Sequence, residues 1–484
     1  MFLKNHIIRV FGLLNERVEY AVLRNYEGLP ERNESRDIDI IITRRGFRSI
    51  KRELVDTLCQ EGWRIVTYLN SDRLITFVCA KNVGNETEIV QWDFFVNTSV
   101  WGVELMSAEE FVEHRVWNGF LWHVDIVGEF LDKYLYNRAV GEAYPAKYEA
   151  IRRRIFGPLT EDLSHTEPKV FEPKAIKCTE FTEDAVALPA LKSELSVKSV
   201  GDKTSRRVES KLSQVFGCGD LVVCDGLSGK RLLGRAVWWN LKRRPFGLIA
   251  GVCAFLWSFV RNYICTNTGF AIGFTGPDGV GKTTVIEMLI GRLGGVFRTA
   301  HSYLHFRPML FGNLGEVAHS AGLKREVDRN YNDPHRGKKV GVLSSLVRLA
   351  YYSVDYIVGY WLKVKSQIRI TRLVVFDRYY TDVICDSRRS RIFLNYRFLY
   401  WFGRVFIPQL DYNILLTAEV DTILARKQEL TREGIEAINE RIEFLAGKKG
   451  YVKFLNDGGP EETVTEILEW VFEEQHKRNL KRLF

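Results

Sequence analysis

The stretch Ala271-Ile-Gly-Phe-Thr-Gly-Pro-Asp-Gly-Val-Gly-Lys-Thr-Thr284 begins as an apolar run, breaks into glycines and passes into Val285-Ile-Glu-Met-Leu-Ile-Gly-Arg-Leu293. That order predicts a strand, a tight loop and a helix. Gly276, Gly281, Lys282 and Thr283 satisfy G-x-x-x-x-G-K-[ST], a phosphate-binding pattern. Glycines let successive backbone N–H groups turn toward one anion, and the new helix adds the positive end of its dipole. Lys282 contributes a mobile charge, and the Thr283 hydroxyl is a candidate Mg²⁺ ligand. On this reading Gly276, Asp278, Gly279, Val280, Gly281, Lys282, Thr283 and Thr284 cradle the phosphates of a nucleotide donor, with ATP expected. A fortuitous turn is the competing reading, and the flanking strand and helix weigh against it.

The chain has 484 residues, 46% hydrophobic and 27% charged, which predicts two or three globular domains and excludes a disordered or multi-span membrane protein. A net charge of +9 suits phosphorylated substrates, an anionic membrane or nucleic acid, and over this length it does not choose among them. Nucleic acid is not expected as a partner. The eight cysteines show no C-x-x-C pair or zinc spacing, so reduced thiols and a cytoplasmic location are expected. No cleavable signal is expected, because Lys4, His6 and Arg9 interrupt the first apolar residues.

In the first part of the chain, Asp37-Ile-Asp-Ile-Ile-Ile42 alternates as a strand and puts Asp37 and Asp39 on one face, while Glu88-Ile-Val-Gln-Trp-Asp-Phe-Phe95 sets Asp93 in another strand. A helix over Phe47–Cys59 and strands over Trp63–Leu69 and Leu74–Cys79 are predicted between them. Three such carboxylates can hold Mg²⁺ on a triphosphate, or be solvated edge residues. This portion, about residues 1–155 with a helical extension, resembles the nucleotidyltransferase superfamily. Where that family carries Gly-Ser or Gly-Gly before its Asp-x-Asp, the stretch here reads Leu23-Arg24-Asn25.

Residues 156–265 read as a linker, partly extended through about Ser213, with a short strand at Leu221-Val-Val-Cys224 and a helix capped by Ser228. Lys242-Arg-Arg-Pro-Phe246 opens an apolar run through Val260 that is too short to span a bilayer. Burial between domains and peripheral membrane contact through 242–261 both fit it.

Residues 266–484 resemble the thymidylate kinase family, on Asp278-Gly279 before Gly281-Lys-Thr-Thr284 and on Asp377-Arg378-Tyr379 after the strand Leu373-Val-Val-Phe376. The resemblance implies an α/β fold with a parallel sheet and helices on both faces. It also implies Mg²⁺-dependent phosphoryl transfer with Lys282, Asp377, Arg378 and Asp278 in catalysis, and Thr283 and Asp377 on the metal. Arg426 is expected at the donor base, and Lys427, Arg432 or Arg441 in a lid. Tyr356 stands where the family carries an arginine near the acceptor base, Arg307 is a candidate phosphate clamp, and Asp333 or His335 could face the acceptor. The helix Glu461–Glu474 is predicted to end in a solvated basic tail, Lys477 to Arg482. The acceptor is expected to be a nucleotide or a sugar. The rival reading is an ATP-binding switch or scaffold with a degenerate first domain.

Overall fold

Alternation in Asp37-Ile-Asp-Ile-Ile-Ile42 produces β2 (Asp37–Ile42), a central strand of a seven-stranded mixed sheet ordered β3-β4-β5-β2-β1-β9-β8. The computed structural model describes residues 2–157, 203–262, 268–294, 302–308, 341–427 and 429–484. The other strands of this sheet are β1 (Tyr20–Val22), β3 (Arg64–Asn70), β4 (Leu74–Val83), β5 (Glu86–Phe95), β8 (Val116–Trp117) and β9 (Trp122–His123). The helices Phe2–Arg17 and Arg44–Leu58 lay Val10, Phe11, Leu14, Phe47 and Leu54 on a core shared with Trp63, Trp92 and Phe94. Thr43 caps the second helix by accepting from the Gly46 amide at 3.0 Å, as a short hydroxyl side chain does at a helix start.

A hairpin of β6 (Asn97–Val100) and β7 (Val103–Ser107) leads to the helix Ile126–Val140. Its buried side meets Val208, Leu212 and Phe216, which sit on a helix at 203–216, and Leu232 and Ala236 of the helix Gly229–Arg243. The end of the stretch expected to be extended is therefore helical. Its apolar residues recur every four positions but are diluted by Lys, Arg, Ser and Glu. Leu221-Val-Val-Cys224 belongs to a helix, Leu221–Gly226, rather than a strand. Asp220 caps it through the Val222 amide at 2.7 Å, and only Leu221 and Cys224, three apart, face the core. Ser228 occupies the expected cap position without a side-chain cap bond. The remaining linker residues, 158–202, lie outside the described residues.

The second sheet is wholly parallel, ordered β11-β12-β10-β13-β14. It comprises β10 (Phe270–Thr275), β11 (Ser302–His305), β12 (Leu373–Asp377), β13 (Tyr412–Thr417) and β14 (Tyr451–Leu455). β10, β12 and β13 are buried along their whole length, as continuous apolar runs in a parallel sheet should be. The order reverses about β10, and in such sheets the crevice for ligands opens at the carboxyl ends of the strands where this happens.

The C-terminal helix Pro460–Leu483 joins the two sheets. It buries Val464, Ile467 and Leu468 on the second sheet's core, while Leu480 and Leu483 reach the first. Between those stripes, Asn479 donates to the carbonyls of Ile65 and Val66 at 3.0 and 2.9 Å, and His476 Nδ1 lies 3.3 Å from the Ile65 amide. Arg482 lies over the Tyr68 ring and Arg478 pairs with Asp411. The tail expected to be solvated is thus part of the joint. Val66, Val78 and Ala80 of the first sheet belong to the second sheet's core.

Candidate active site

The glycine-rich loop leaves β10 at its carboxyl end and feeds the helix Lys282–Leu293. Gly281 has φ +92°, and a side chain there would meet Asn456 Nδ2 at 2.7 Å. Only glycine takes that conformation in that space. Asn456 is buried, donates to the Val280 carbonyl at 2.7 Å and accepts from Thr463. It was not singled out in the sequence, because nothing local marks an asparagine 176 positions away as the brace of this loop.

Lys282 is buried and curls onto its own loop, donating to the carbonyls of Gly276 and Pro277 at 2.8 Å each. Burial, with the charge of Arg378 beside it, pushes its ammonium down to about 7. Thr283 and Thr284 are exposed at the helix start. Asp278 lies 3.8 Å from Lys282 Nζ and accepts from both Arg378 and Arg389.

β12 ends in Asp377, beside Phe274 in register. Arg378 then adopts φ +72° while its amide donates to the Phe274 carbonyl at 2.9 Å. A non-glycine residue in that region costs free energy and is concentrated at functional sites. The turn aims the guanidinium at the loop, where it bonds Asp382 at 2.9 Å as well as Asp278. Burial works against the charge on Arg378, but Asp382 and Asp278 outweigh it and raise its basicity.

Burial also opposes the charge on Asp377, yet His305, Arg378 and Lys282 pull its carboxyl down to about 2. Asp377 Oδ2 accepts from the Tyr303 hydroxyl at 3.0 Å and lies 3.3 Å from His305 Nδ1. Asp377 Oδ1 is buried without a hydrogen-bond partner among the described residues. An ionised oxygen left over in this way, with a threonine hydroxyl at the helix start, is the hard oxygen donor set that suits Mg²⁺.

Other expected participants are placed differently. Arg426 donates to the carbonyls of Asn456 and Asp457 at 2.8 and 3.4 Å, at the end of β14. Of the three lid candidates, Lys427 pairs with Glu429, Arg432 with Asp421, and Arg441 with the carbonyls of Ile384 and Cys385. Arg307 forms a buried ion pair with Asp355 at 3.1 Å and lies over Tyr352. Tyr356 is fully buried and donates to the Phe306 carbonyl at 3.0 Å. Asp333 and His335 lie outside the described residues.

In the first sheet the parallel register sets Asp39 opposite Asp93. One oxygen each of Asp37, Asp39 and Asp93 lies within 4.8 Å of the others. Asp93 accepts from Thr76 and from Gln91. Arg24 reaches in from the segment after β1, 2.6 Å from Asp39 and 3.0 Å from Asp132. Burial outweighs its pull and lifts the Asp39 carboxyl to about 7. Arg24 therefore already sets a positive charge against the trio.

No protein-family model and no curated protein matches the chain. Among solved structures it is similar to the thymidylate kinase from Ehrlichia chaffeensis, at 12% identity over 42% of this chain and 98% of that one, with a TM-score of 0.29.

Proposed function

We propose that residues 266–484 transfer the γ-phosphoryl group of ATP to a small phosphorylated or sugar-type acceptor. The observation that carries this reading is the meeting of Lys282, Asp377 and Arg378 at the carboxyl edge of β10 and β12, where Asp278 lies against both Lys282 and Arg378. Phosphoryl transfer asks of a protein mainly positioning and charge stabilisation. The loop amides would hold the donor phosphates, and Lys282 would exchange its two loop carbonyls for phosphate oxygens. Thr283 and Asp377 would hold Mg²⁺, which when bound would neutralise charge on those phosphates. Arg378, now shared between Asp278 and Asp382, would turn its planar fork to an anionic acceptor group and then to the group in flight. Arg389, on the same aspartate, stands ready beside it.

Turnover of ATP, screened against nucleoside monophosphates, sugars and sugar phosphates, tests this reading. An acceptor-dependent rate should appear and should be lost in Lys282→Ala, while the thermal unfolding midpoint should not fall. Tyr356 is buried and bonded to backbone, and Arg307 is committed to Asp355, so dTMP should be a poor acceptor. If Lys282→Ala turned over at the wild-type rate, the assignment would be lost.

For the first unit we propose a scaffold rather than a transferase, on the strength of the Arg24–Asp39 pair. A divalent cation could join Asp37, Asp39 and Asp93 only with that guanidinium displaced.

A further inference from the structure

The helix Pro245–Val260 has 16 residues and no charge among them. Its inner side is narrow. Gly251 rests backbone to backbone on Gly102 in the β6–β7 turn, where a Cβ on either would sit 2.2 to 2.4 Å from the other's carbonyl oxygen. Leu248 packs against the core behind that hairpin, and Ser258, the helix's one buried residue, donates to Asp72 at 3.3 Å. The outer side is apolar and open, with Phe246 85%, Ile249 58% and Trp257 68% exposed, and Leu256 and Phe259 exposed as well. A helix of a soluble surface has the reverse arrangement, apolar side in and polar side out, and an exposed apolar patch of this kind marks an interaction site.

Charge says what the partner is. From Gly226 through Pro277 there is no Asp or Glu, while Lys230, Arg231, Arg235, Lys242, Arg243, Arg244 and Arg261 fall inside that stretch. At the start of the helix, Lys242 lies 5.3 Å from the Trp238 ring centre and Arg243 4.9 Å from that of Trp239. Tryptophans beside basic residues at the rim of an apolar face are the residues that hold a helix at a bilayer surface. The helix is about 24 Å long at 1.5 Å per residue, short of the roughly 30 Å of hydrocarbon in a bilayer. Among the described residues no helix is long and apolar enough to cross a membrane. A second copy of the chain would set this cluster of cations, of which Arg244 is paired with Glu104, against itself, which like charges oppose.

We propose that the exposed face of Pro245–Val260, with Lys242, Arg243 and Arg244 at its rim, seats the protein on the surface of an anionic phospholipid bilayer. The apolar side chains enter the interface and the cations lie against lipid phosphates. This surface is independent of the phosphotransfer reading.

Sedimentation of the full chain with phosphatidylcholine vesicles, with and without phosphatidylglycerol, tests the proposal. Binding should be roughly tenfold or more tighter to the anionic vesicles, as a few basic residues near a charged surface provide. It should weaken with added salt. Phe246→Ser with Trp257→Ser should abolish it, and Lys242→Glu with Arg243→Glu should erase the preference for anionic lipid. These side chains are exposed, so unfolding midpoints should match wild type, and that control separates lost docking from lost folding. Equal binding to both vesicle types, no binding at all, or binding that survives both double substitutions overturns the proposal. So does a dimer, seen by light scattering without lipid, that the same substitutions dissolve.

Discussion

Asn479→Ala should weaken the joint between the two sheets more than any other single truncation in the C-terminal helix. Ile65 pairs with Cys79 and Thr67 with Val78, so Val66 is an extra residue that bulges β3. β3 is also the edge of its sheet. A bulge on an edge strand turns backbone groups away from the ladder, and the Asn479 amide collects the two carbonyls concerned while only 1% exposed itself. Removing it leaves both without their donor, at about 1–3 kcal/mol each. A total of roughly 2–5 kcal/mol follows if water reaching the gap recovers part of the loss. Asn479→Asp should be worse still, because an ionised carboxylate donates nothing and would face two carbonyl oxygens. Hydrogen exchange read by mass spectrometry on the full chain measures this directly. Peptides covering β3 and the C-terminal helix should exchange about thirtyfold to a few thousandfold faster, at 1.4 kcal/mol per decade. The effect should extend to the helix Lys282–Leu293, whose Arg292 bonds Thr87, Asn82 and Thr465. Exchange in β3 within about threefold of wild type, below roughly 0.7 kcal/mol, would refute the reasoning.

Lys282, held near 7 by burial and by Arg378, makes nucleotide binding pH-dependent. The unfolded chain keeps this proton up to about 10.5, so between the two values the unfolded state binds more protons. Burying the lysine thus costs stability below pH 7, and the cost is relieved as pH rises from 7 toward 10.5. Phosphate needs the charged form, so affinity should fall by up to about tenfold per pH unit above 7, with proton uptake visible by calorimetry in buffers of different ionisation heat. Lys282→Ala should keep only the phosphate's own titration, and a wild-type profile parallel to it would count against the assignment. In the first unit, Arg24→Ser breaks a buried pair and should cost about 3–5 kcal/mol. It also frees the carboxylates, so Mg²⁺ or Mn²⁺ should raise the melting temperature of the variant more than that of wild type. Equal shifts would show that Arg24 does not stand in for a cation.

What was legible in the sequence was what local chemistry dictates. The glycine loop, its strand and helix, and the strand ending in Asp377 each follow from a few adjacent residues, and alternation was enough to place Asp37 and Asp39 on one face. Partners distant in the chain were not legible. Arg24 meets Asp132 across 108 positions, and Asn456 braces the loop from a strand end that looks ordinary in isolation. The C-terminal helix is not legible past Glu474, because its buried stripe changes there from apolar residues to Gln475 and Asn479, polar residues that look like surface. Arg441 has the charge expected of a lid residue, but it donates to the Ser387 hydroxyl at 2.7 Å and to the Cys385 carbonyl at 3.1 Å. The apolar run 246–260 left two destinations open, and among the described residues nothing covers its outer face.

The bulge in β3 also has a meaning in time. Its cover lies 414 residues farther along the chain, and at about 5–20 residues per second of synthesis the ribosome needs roughly 20–80 s to deliver it. Throughout that interval Arg64-Ile-Val-Thr-Tyr-Leu-Asn70 is a strand edge rich in β-branched and aromatic residues, open to any neighbouring nascent chain. The hazardous period for this protein therefore falls before it is finished. Chaperone supply during translation, more than the stability of the completed fold, should set how much of it a cell can accumulate.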